Sequence, residues 1–487
     1  MKSLIIKIFG KSEYFAVFII SLLYVFLNSY LFLNGIIYAV ILPVVLWFFW
    51  IAFFMPDKLM LFLAFIVPLS IQLDRFYPKL PVNLSLPSEP LIILLMFLFI
   101  FKFLLNGTYD KRIVAHPVTL AIFFYLTWIL ITSMTSELPL VSFKFLIAKL
   151  WFIIVFYLIG TQLFSKFKNI IRFGWLYTSS LILVVIYSIS RFASMDISDH
   201  RLANKVVLPF YNDHTDYAAA ISMILIFTAG YFFLRRKLSY TQKLLNLSFV
   251  VFFFIALILS YARAAWISLL ISIVFLVLMK FKIRLRYIFL SIAFILGLFF
   301  TFQSDIMIAL ERNKQDSNKD FSKHISSITN VSTDASNKER INRWKCAIRM
   351  FKERPIFGFG PGTYQFLYAP YQKKIEMTII STNHGDVGNA HSEYLGPLSE
   401  MGFMGMIAFL GIVITTMYTG SRLYFRSKRR KVRIMSITLL ISLLTYYIHG
   451  VMNNFLDADK LSILFWGFTA MIVALDVYHT PSLKKLK

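Results

Sequence analysis

Charged residues are scarce in this sequence. Asp, Glu, Lys and Arg make up 15% of the 487 residues, whereas hydrophobic residues make up 58% and the mean hydropathy is +0.71. So few charges cannot cover a soluble globular protein of this length. Apolar runs of about 20 residues, the length that a helix needs to cross a bilayer, recur almost end to end. We therefore predict an all-α integral membrane protein, since hydrocarbon cannot hydrogen-bond an exposed backbone.

Cysteine pairs and phosphate-loop motifs are also missing. Cys346 is the single cysteine, so no disulfide can form within the chain. The glycine-rich turn at residues 358–362 lacks the Gly-Lys-Ser/Thr ending of a phosphate loop. It indicates a tight turn instead, because closely spaced glycines and proline interrupt regular structure.

About fourteen apolar stretches are candidate transmembrane helices. Most connections between them are short, which predicts one compact bundle. We divide the chain into N-terminal spans (1–193), central spans with an outer loop (194–303), a large outer loop (304–392) and C-terminal spans (393–487). The first stretch is too long for a signal peptide and lacks a small-x-small cleavage site, so we expect it to be retained. The stretches are residues 13–33, 35–55, 58–73, 89–105, 117–134, 140–161, 172–193, 216–234, 244–260, 264–280, 287–303, 393–420, 434–451 and 461–478.

The net charge of +26 follows this topology. If the N-terminus is cytoplasmic, the inner connections hold 28 Lys and Arg residues and the short outer connections hold seven. The positive-inside rule therefore predicts a multi-pass protein with both termini in the cytoplasm. The loop 304–392 is left out of the count, because long loops cross membranes largely regardless of charge. Basicity of this origin gives no reason to expect nucleic-acid binding.

The large outer loop contains an amphipathic pattern. Ser336 followed by Glu339 has the spacing of a capping box and predicts a helix start, and Pro355 predicts its end. The apolar set within this helix is Ile341, Trp344, Ile348 and Phe351, and the cationic set is Arg340, Arg343, Lys345, Arg349 and Lys352. An apolar stripe bordered by cations is typical of a helix at the membrane interface.

Histidines concentrate on the predicted outer side. Six of the eight fall there, namely His200, His214, His324, His384, His391 and His449. Histidine is the usual general base near neutral pH, so this face suits catalysis. His391 is predicted to lie in the first turn of the next span, where the helix dipole would keep its imidazole neutral. A structural hydrogen-bonding role is the alternative.

Three outer arginines are candidate anion-binding residues. Arg263 lies in a hairpin so tight that its guanidinium must sit at the membrane boundary. That position is costly unless an anion meets the charge, although a snorkelling anchor is the alternative. Arg340 and Arg343 lie one turn apart on the predicted loop helix and can face one ligand, with a solvated surface as the alternative.

Two intramembrane or boundary features remain open. Lys149 lies within a span, where a partner carboxylate and a ligand are equally good explanations. Asp457 and Asp459 have the spacing of the metal-binding pairs found in some glycosyl-transferring enzymes. Turn formation between two spans explains them better, so we predict no metal site.

Four segments in order resemble the O-antigen ligase and polymerase superfamily. They are Ser260 to Trp266, Arg340 with Trp344, Pro355 with the turn 358–362, and His391-Ser392-Glu393-Tyr394-Leu395 with Glu400 and Gly402. The long loop before the last spans is also similar. Residues 210–214 resemble a further family segment, although many members have Asn-Pro-Asn there. The resemblance covers roughly residues 200–460.

The resemblance implies a membrane glycosyltransferase. Members of the superfamily move a glycan from an undecaprenyl diphosphate carrier to an acceptor hydroxyl at the periplasmic face of the bacterial inner membrane. It implies a GT-C-like helical fold and a metal-independent, inverting transfer that uses no cofactor. It also implies that His391 is the base and that Arg263 and Arg340 bind the diphosphate, and we expect Arg343 to join them. Accessory candidates are Tyr394, Arg201, His214 and Glu400.

The acceptor and the class of protein leave alternatives. We predict an O-antigen ligase that uses the lipid A core, with a polysaccharide polymerase or a protein O-oligosaccharyltransferase as alternatives. A transporter of lipid-linked sugars is the alternative from another class. Transporters usually carry polar groups near the membrane midplane in repeated halves, whereas the polar groups here gather at the outer boundary.

Overall fold

The computed structural model describes residues 12–35, 42–75, 84–107, 109–195, 202–234, 239–282, 335–378, 381 and 388–480. The chain divides into two units, Met1–Leu59 and Met60–Lys487. In the first unit, the described helices Ser12–Leu33 and Leu42–Phe54 are apolar, and most of their large side chains are exposed. Such surfaces suit contact with lipid, because lipid tails solvate apolar side chains without cost.

Ten described helices in the second unit are long and apolar enough to cross a membrane. This finding confirms the predicted all-α membrane protein. The helices are Ser88–Asn106, Pro117–Met134, Pro139–Leu163, Phe167–Ala193, His214–Leu234, Tyr240–Leu259, Arg263–Lys280, Leu395–Arg426, Arg430–His449 and Asp459–Tyr478. Within Pro139–Leu163, residues Ile153–Ile159 form a π-helical segment.

The other four predicted spans differ from these ten. The first two correspond to the helices of the first unit, and residues 287–303 lie outside the described part of the chain. The stretch 58–73 contains only the helix Pro56–Ile66, which is 11 residues long. A 3₁₀ turn with Pro68 and a short strand follow it, because proline cannot continue the helical hydrogen bonding. The total of fourteen and the GT-C-like arrangement stay predictions.

Short elements connect the long helices. The strands Ile71–Gln72 and Ser85–Leu86 form an antiparallel pair in which Ile71 faces Leu86. The short α-helices are Lys111–Val114, Ala203–Val206 and Tyr364–Leu367, and the 3₁₀ turns are Val67–Leu69, Leu73–Arg75, Ala369–Tyr371 and Lys374–Glu376.

The helix Asp459–Tyr478 is the centre of the second unit. Every residue from Asp459 to Leu475 is buried, including the large side chains of Phe465 and Trp466. A helix that is buried on all sides must be surrounded by other helices. Its first residue therefore marks one end of the bundle within the protein interior.

The bundle has two chemically different ends. At the first, Ser88 Oγ donates to Asp459 Oδ2 over 2.5 Å, and we call it the loop end because residues 335–378 lie there. At the other, the basic end, Arg430 Nη2 donates to the carbonyl of Phe233 over 2.7 Å and Arg422 pairs with an aspartate. The functional candidates that the structure describes lie at the loop end.

The large loop contributes the loop helix, Ala335–Glu353, whose buried side differs from the prediction. Its protein-facing side chains are Glu339, Asn342, Arg343, Cys346, Ala347 and Met350. The predicted apolar stripe is only partly covered, and Ile348 is 40% exposed. Ser336 lies inside the helix, and Glu339 pairs with Arg343 instead of closing a capping box. The buried side of the helix is therefore polar in its first half and apolar in its second, where Cys346, Ala347 and Met350 join a hydrophobic cluster.

The glycine-rich turn 358–362 docks against the kinked helix, Leu395–Arg426. At the kink, Gly402 has a φ of 67° and a ψ of −168°, a conformation that only glycine adopts readily. The opened backbone makes hydrogen bonds with the turn, since Gly360 N–H donates to the Glu400 carbonyl over 2.8 Å and Phe403 N–H donates to the Pro355 carbonyl over 2.9 Å. The Glu400 carboxylate accepts from Tyr364 N–H over 3.0 Å. The turn therefore fastens the loop to the bundle.

Replacing Gly402 by alanine should release this fastening. A Cβ at Gly402 would lie 2.1 Å from the carbonyl oxygen of Ile356, and the backbone there is strained for any other residue. We expect Gly402→Ala to reduce the free energy of unfolding by about 3 kcal/mol. Thermal unfolding in detergent measures this change. Gly411→Ala, in the same helix with its nearest neighbouring atom 3.9 Å away, is the control, and equal melting temperatures for both variants would refute the account.

Candidate functional site

His391 lies at the loop end, just before the kinked helix. That helix begins at Leu395. The prediction that His391 lies in its first turn is therefore wrong. The residue has a φ of 48°, and its N–H donates to Asn389 Oδ1 over 3.0 Å. A left-handed residue before a helix re-aims the chain, so the imidazole is directed by a local turn rather than by the helix.

Burial lowers the pKa of His391 to about 4, from an ordinary value of 6.5. The positive charges of Arg343 and Arg340 lower this pKa further, whereas Asp213 and Glu339 oppose them. The imidazole is therefore neutral at pH 7 and able to accept a proton. Neutrality was expected from the helix dipole, but its causes are burial and two arginines.

Arg343 holds the segment that carries His391. Its guanidinium is buried, bonds Glu339 Oε1 over 2.8 Å and donates to the carbonyl of Asn389 over 3.2 Å. It also lies over the ring of Tyr368, with 5.3 Å to the ring centroid. With these partners, Arg343 links the loop helix to the segment that carries His391.

Trp344 makes a second connection between the loop helix and this segment. Its indole N–H donates to the carbonyl of His391 over 3.3 Å. The Tyr364 hydroxyl donates to the carbonyl of Arg343 over 2.8 Å. Side chains from a distant helix therefore fix the backbone on both sides of the histidine.

Arg340 and Arg263 are the two half-buried arginines of the candidate set. The charge of Arg340 acts electrostatically on both His391 and His449, so it lies within electrostatic range of both. Arg263 starts the helix Arg263–Lys280, and that helix packs against Arg430–His449. Arg340 is therefore within electrostatic range of the histidines, and Arg263 starts a helix at the same end of the bundle.

The segment 210–214 lies beside the same site. Asp213 pairs with His214 Nδ1 at 3.2 Å and accepts from Thr215 N–H over 2.6 Å, and its pKa is held below its usual range by these partners. The charge of Asp213 acts on His391 and also on His449. His214 is accordingly near the site, although its imidazole is engaged by Asp213 and Asn204.

His449 is a candidate site residue that the sequence does not single out. It ends the helix Arg430–His449, is 1% exposed, and lies within electrostatic range of Arg340 and Asp213. The available signal was its predicted position among the outer histidines, but nothing in the local sequence connects it with His391.

Glu393 and Lys149, which carry opposite charges, both hydrogen-bond to the backbone of the turn after His449. The Glu393 carboxylate accepts from Phe455 N–H over 2.8 Å and Leu456 N–H over 3.0 Å, and burial raises the pKa of Glu393. Lys149 Nζ donates to the Leu456 carbonyl over 3.0 Å and pairs with Asp457 at 2.7 Å. The open question about Lys149 is thereby answered, because its partner is a carboxylate.

Asp457 and Asp459 have separate partners. Asp457 faces Lys149, whereas the Asp459 carboxylate accepts from Ser70 Oγ over 2.7 Å and from Ser88 Oγ. Among the residues that the structure describes, no group of three or more His, Cys, Asp or Glu side chains is arranged to hold a metal ion. The two aspartates act as turn and helix-end residues.

Comparison with known proteins matches this region to a family. Residues 248–410 fit the family model described as O-Antigen ligase. This segment belongs to the O-antigen ligase superfamily. The chain is also similar to an uncharacterized protein of Haemophilus influenzae, with 24% identity over 261 residues that cover 52% of this chain. The match spans 61% of the length of that relative.

The matched segment, residues 248–410, contains most of the residues singled out from the sequence. Arg263, Arg340, Arg343 and His391 fall within 248–410, whereas His449 follows it. Two accessory candidates within the segment have internal partners. Glu400 holds the glycine-rich turn, and the Tyr394 hydroxyl donates to the Tyr447 carbonyl over 2.9 Å. Candidates outside the described residues are Arg201, His200, His324 and His384.

The Lys149–Asp457 pair should respond asymmetrically to mutation. The Lys149 side chain is 4% exposed and that of Asp457 is 55% exposed. Asp457→Asn leaves a buried charge without its counterion, and we expect a loss of about 2 kcal/mol in unfolding free energy. Lys149→Met leaves a hydrated carboxylate and should cost about 1 kcal/mol or less. Melting temperatures in detergent compare them, and a larger loss in Lys149→Met would contradict the assignment.

Proposed function

We propose that this protein is a glycosyltransferase that moves a glycan from undecaprenyl diphosphate to an acceptor hydroxyl, with the lipid A core as the acceptor. The observation that carries the proposal is a neutral imidazole, His391, in the field of Arg340 at one end of a membrane bundle. Membership of residues 248–410 in the O-antigen ligase superfamily supports it. A base for a hydroxyl and a cation for a phosphate are the two groups that this transfer needs.

In the proposed reaction, His391 accepts the proton of the acceptor hydroxyl. The hydroxyl oxygen forms a bond to the anomeric carbon of the donor sugar as the bond from that carbon to the diphosphate oxygen breaks. Attack opposite the leaving group inverts the anomeric configuration. Undecaprenyl diphosphate leaves with the bonding electrons, and the proton on the imidazole then passes to water or the leaving group. The sequence of steps requires no redox chemistry.

The arginines have two different roles in this proposal, diphosphate binding and positioning. Arg340 and Arg263 bind the diphosphate, because guanidinium groups donate paired hydrogen bonds to phosphate oxygens and remain charged. They stabilise the negative charge that grows on the leaving group, so the transfer would be metal-independent. Arg343 is a positioning residue, since Glu339 and the Asn389 carbonyl occupy its guanidinium.

In the proposed orientation, the donor reaches the site from the lipid of the outer leaflet. The exposed apolar residues of the loop helix and its neighbours, Ile348, Ile356, Phe357 and Phe366, suit the interfacial layer of a membrane. Arginines and lysines concentrate at the basic end, which we assign to the cytoplasm of a bacterial inner membrane. The loop end then faces the periplasm, where an undecaprenyl chain in the outer leaflet would present its diphosphate.

A reconstituted transfer reaction tests the proposal. Purified protein in detergent would receive lipid-linked glycan as the donor and, in separate reactions, lipid A core, a second carrier-linked glycan or a protein as the acceptor. We expect a new glycosidic product on the lipid A core and none with His391→Ala of unchanged melting temperature. Full activity of His391→Ala would remove the base assignment. If the detergent reaction gives no glycosidic product while the protein in sealed liposomes moves lipid-linked sugar across the bilayer, a transporter would replace the proposal.

Arginine geometry provides a second test. Arg340→Lys keeps the charge but loses the paired hydrogen bonds, so we expect the transfer rate at low donor concentration to fall about 10- to 100-fold. The matched control is Arg349→Lys, on the opposite side of the same helix, where Arg349 pairs with Glu376. Its rate should stay within about twofold of the unmodified protein. Equal effects of the two substitutions would argue against a diphosphate contact at Arg340.

The pH dependence of transfer should show an unusually acidic limb. A base works only when unprotonated, and the pKa of His391 is lowered to about 4, so kcat/KM should stay level from pH 8 to pH 5 and decline towards pH 4. Arg340→Gln removes a charge that lowers this pKa, and the limb should move to higher pH. A limb near pH 6.5 in the unmodified protein, or one that Arg340→Gln leaves in place, would show that His391 is not the titrating base.

A further inference from the structure

Buried polar atoms without hydrogen-bond partners gather in the segment from His449 to Asn454. Among the described residues, neither ring nitrogen of His449 has a partner, although the residue is 1% exposed. Asn453 Nδ2 and Asn454 Oδ1 are also buried without a hydrogen-bond partner among the described residues, and Asn453 is 2% exposed. Buried polar groups in proteins are nearly always paired, so a cluster of such atoms indicates a place where another molecule supplies the partners.

This segment is joined directly to the one that carries His391. Glu393 N–H donates to the Gly450 carbonyl over 2.8 Å, which brings the chain next to His391 against the chain next to His449. Arg340 and Asp213 act electrostatically on both histidines. The unpaired atoms therefore adjoin the proposed transfer site instead of forming a separate pocket elsewhere in the bundle.

The chemistry of these groups differs from that of the arginines. A neutral imidazole offers one donor and one acceptor, and a carboxamide offers two donors and an acceptor. Diphosphate oxygens only accept hydrogen bonds, whereas sugar hydroxyls both donate and accept. Neutral groups of mixed polarity thus suit hydroxyls, while the guanidinium groups suit the diphosphate.

We propose that His449 and Asn453 form a hydroxyl-binding subsite for the glycan, beside the diphosphate held by the arginines. The assignment rests on the proposed function. The subsite orients the sugar so that its anomeric carbon faces His391. His449 contacts the substrate through hydrogen bonds and takes no proton in the transfer, so a side chain with the same donors and acceptors can replace it.

Binding of two lipids tests the subsite. Full-length protein in nanodiscs would be titrated with undecaprenyl diphosphate and with lipid-linked glycan extracted from the producing cells. The unmodified protein should bind the glycan-bearing lipid about tenfold more tightly. His449→Leu should abolish this preference and keep the affinity for undecaprenyl diphosphate, whereas His449→Gln should retain most of it. His116→Gln, a buried histidine paired with Asp476 at the basic end, is the control and should change neither affinity.

The outcomes separate the subsite from the transfer function. An unchanged preference in His449→Leu, or no preference in the unmodified protein, would overturn the subsite while the diphosphate site stands. Failure of the unmodified protein to bind undecaprenyl diphosphate would overturn both. If His449→Leu does not fold, Asn453→Leu takes its place in the same titration, with the same expected loss.

Discussion

The site depends on the fastening of the large loop to the kinked helix. Gly402 opens the helix, and the freed backbone at Glu400 and Phe403 pairs with the turn that follows the loop helix. Together with the bonds from Arg343 and Trp344 to the backbone beside His391, this junction fixes the loop helix relative to the histidine. The family resemblance includes the glycine-rich turn, Glu400 and Gly402. Contacts between the loop and the kinked helix explain these features, without any role for them in catalysis.

Electrostatic balance at the loop end follows from this docking. Two arginines brought next to a half-buried imidazole would repel a proton from it, and burial acts in the same direction. Arg343 pairs with Glu339 and still acts on the base together with Arg340. A neutral base and a permanent cation side by side suit a reaction that removes a proton from one partner and releases an anion from the other.

Ten of the fourteen predicted spans correspond to described helices that are long and apolar enough to cross a membrane, because spans depend on local patterns of hydropathy. The exact position and the partners of a side chain are harder to predict from the sequence. The sequence predicts a helix start at His391 where the structure has a turn, since Asn389 suits either a helix cap or this turn. Partners far apart in the chain, such as Lys149 with Asp457, leave no local signal. The apolar stripe predicts the loop helix, but the side that the structure buries is a different one, with Glu339, Asn342 and Arg343 in its first half and Cys346, Ala347 and Met350 in its second.

The central claim is that His391 and the half-buried arginines Arg340 and Arg263 share one ligand. A cryo-EM structure of the protein in nanodiscs with bound lipid-linked glycan tests it most directly. The account predicts density for the diphosphate in contact with both guanidinium groups, and the first sugar between them and the imidazole. A diphosphate bound elsewhere, with the imidazole and the two guanidinium groups facing separate cavities, would contradict it.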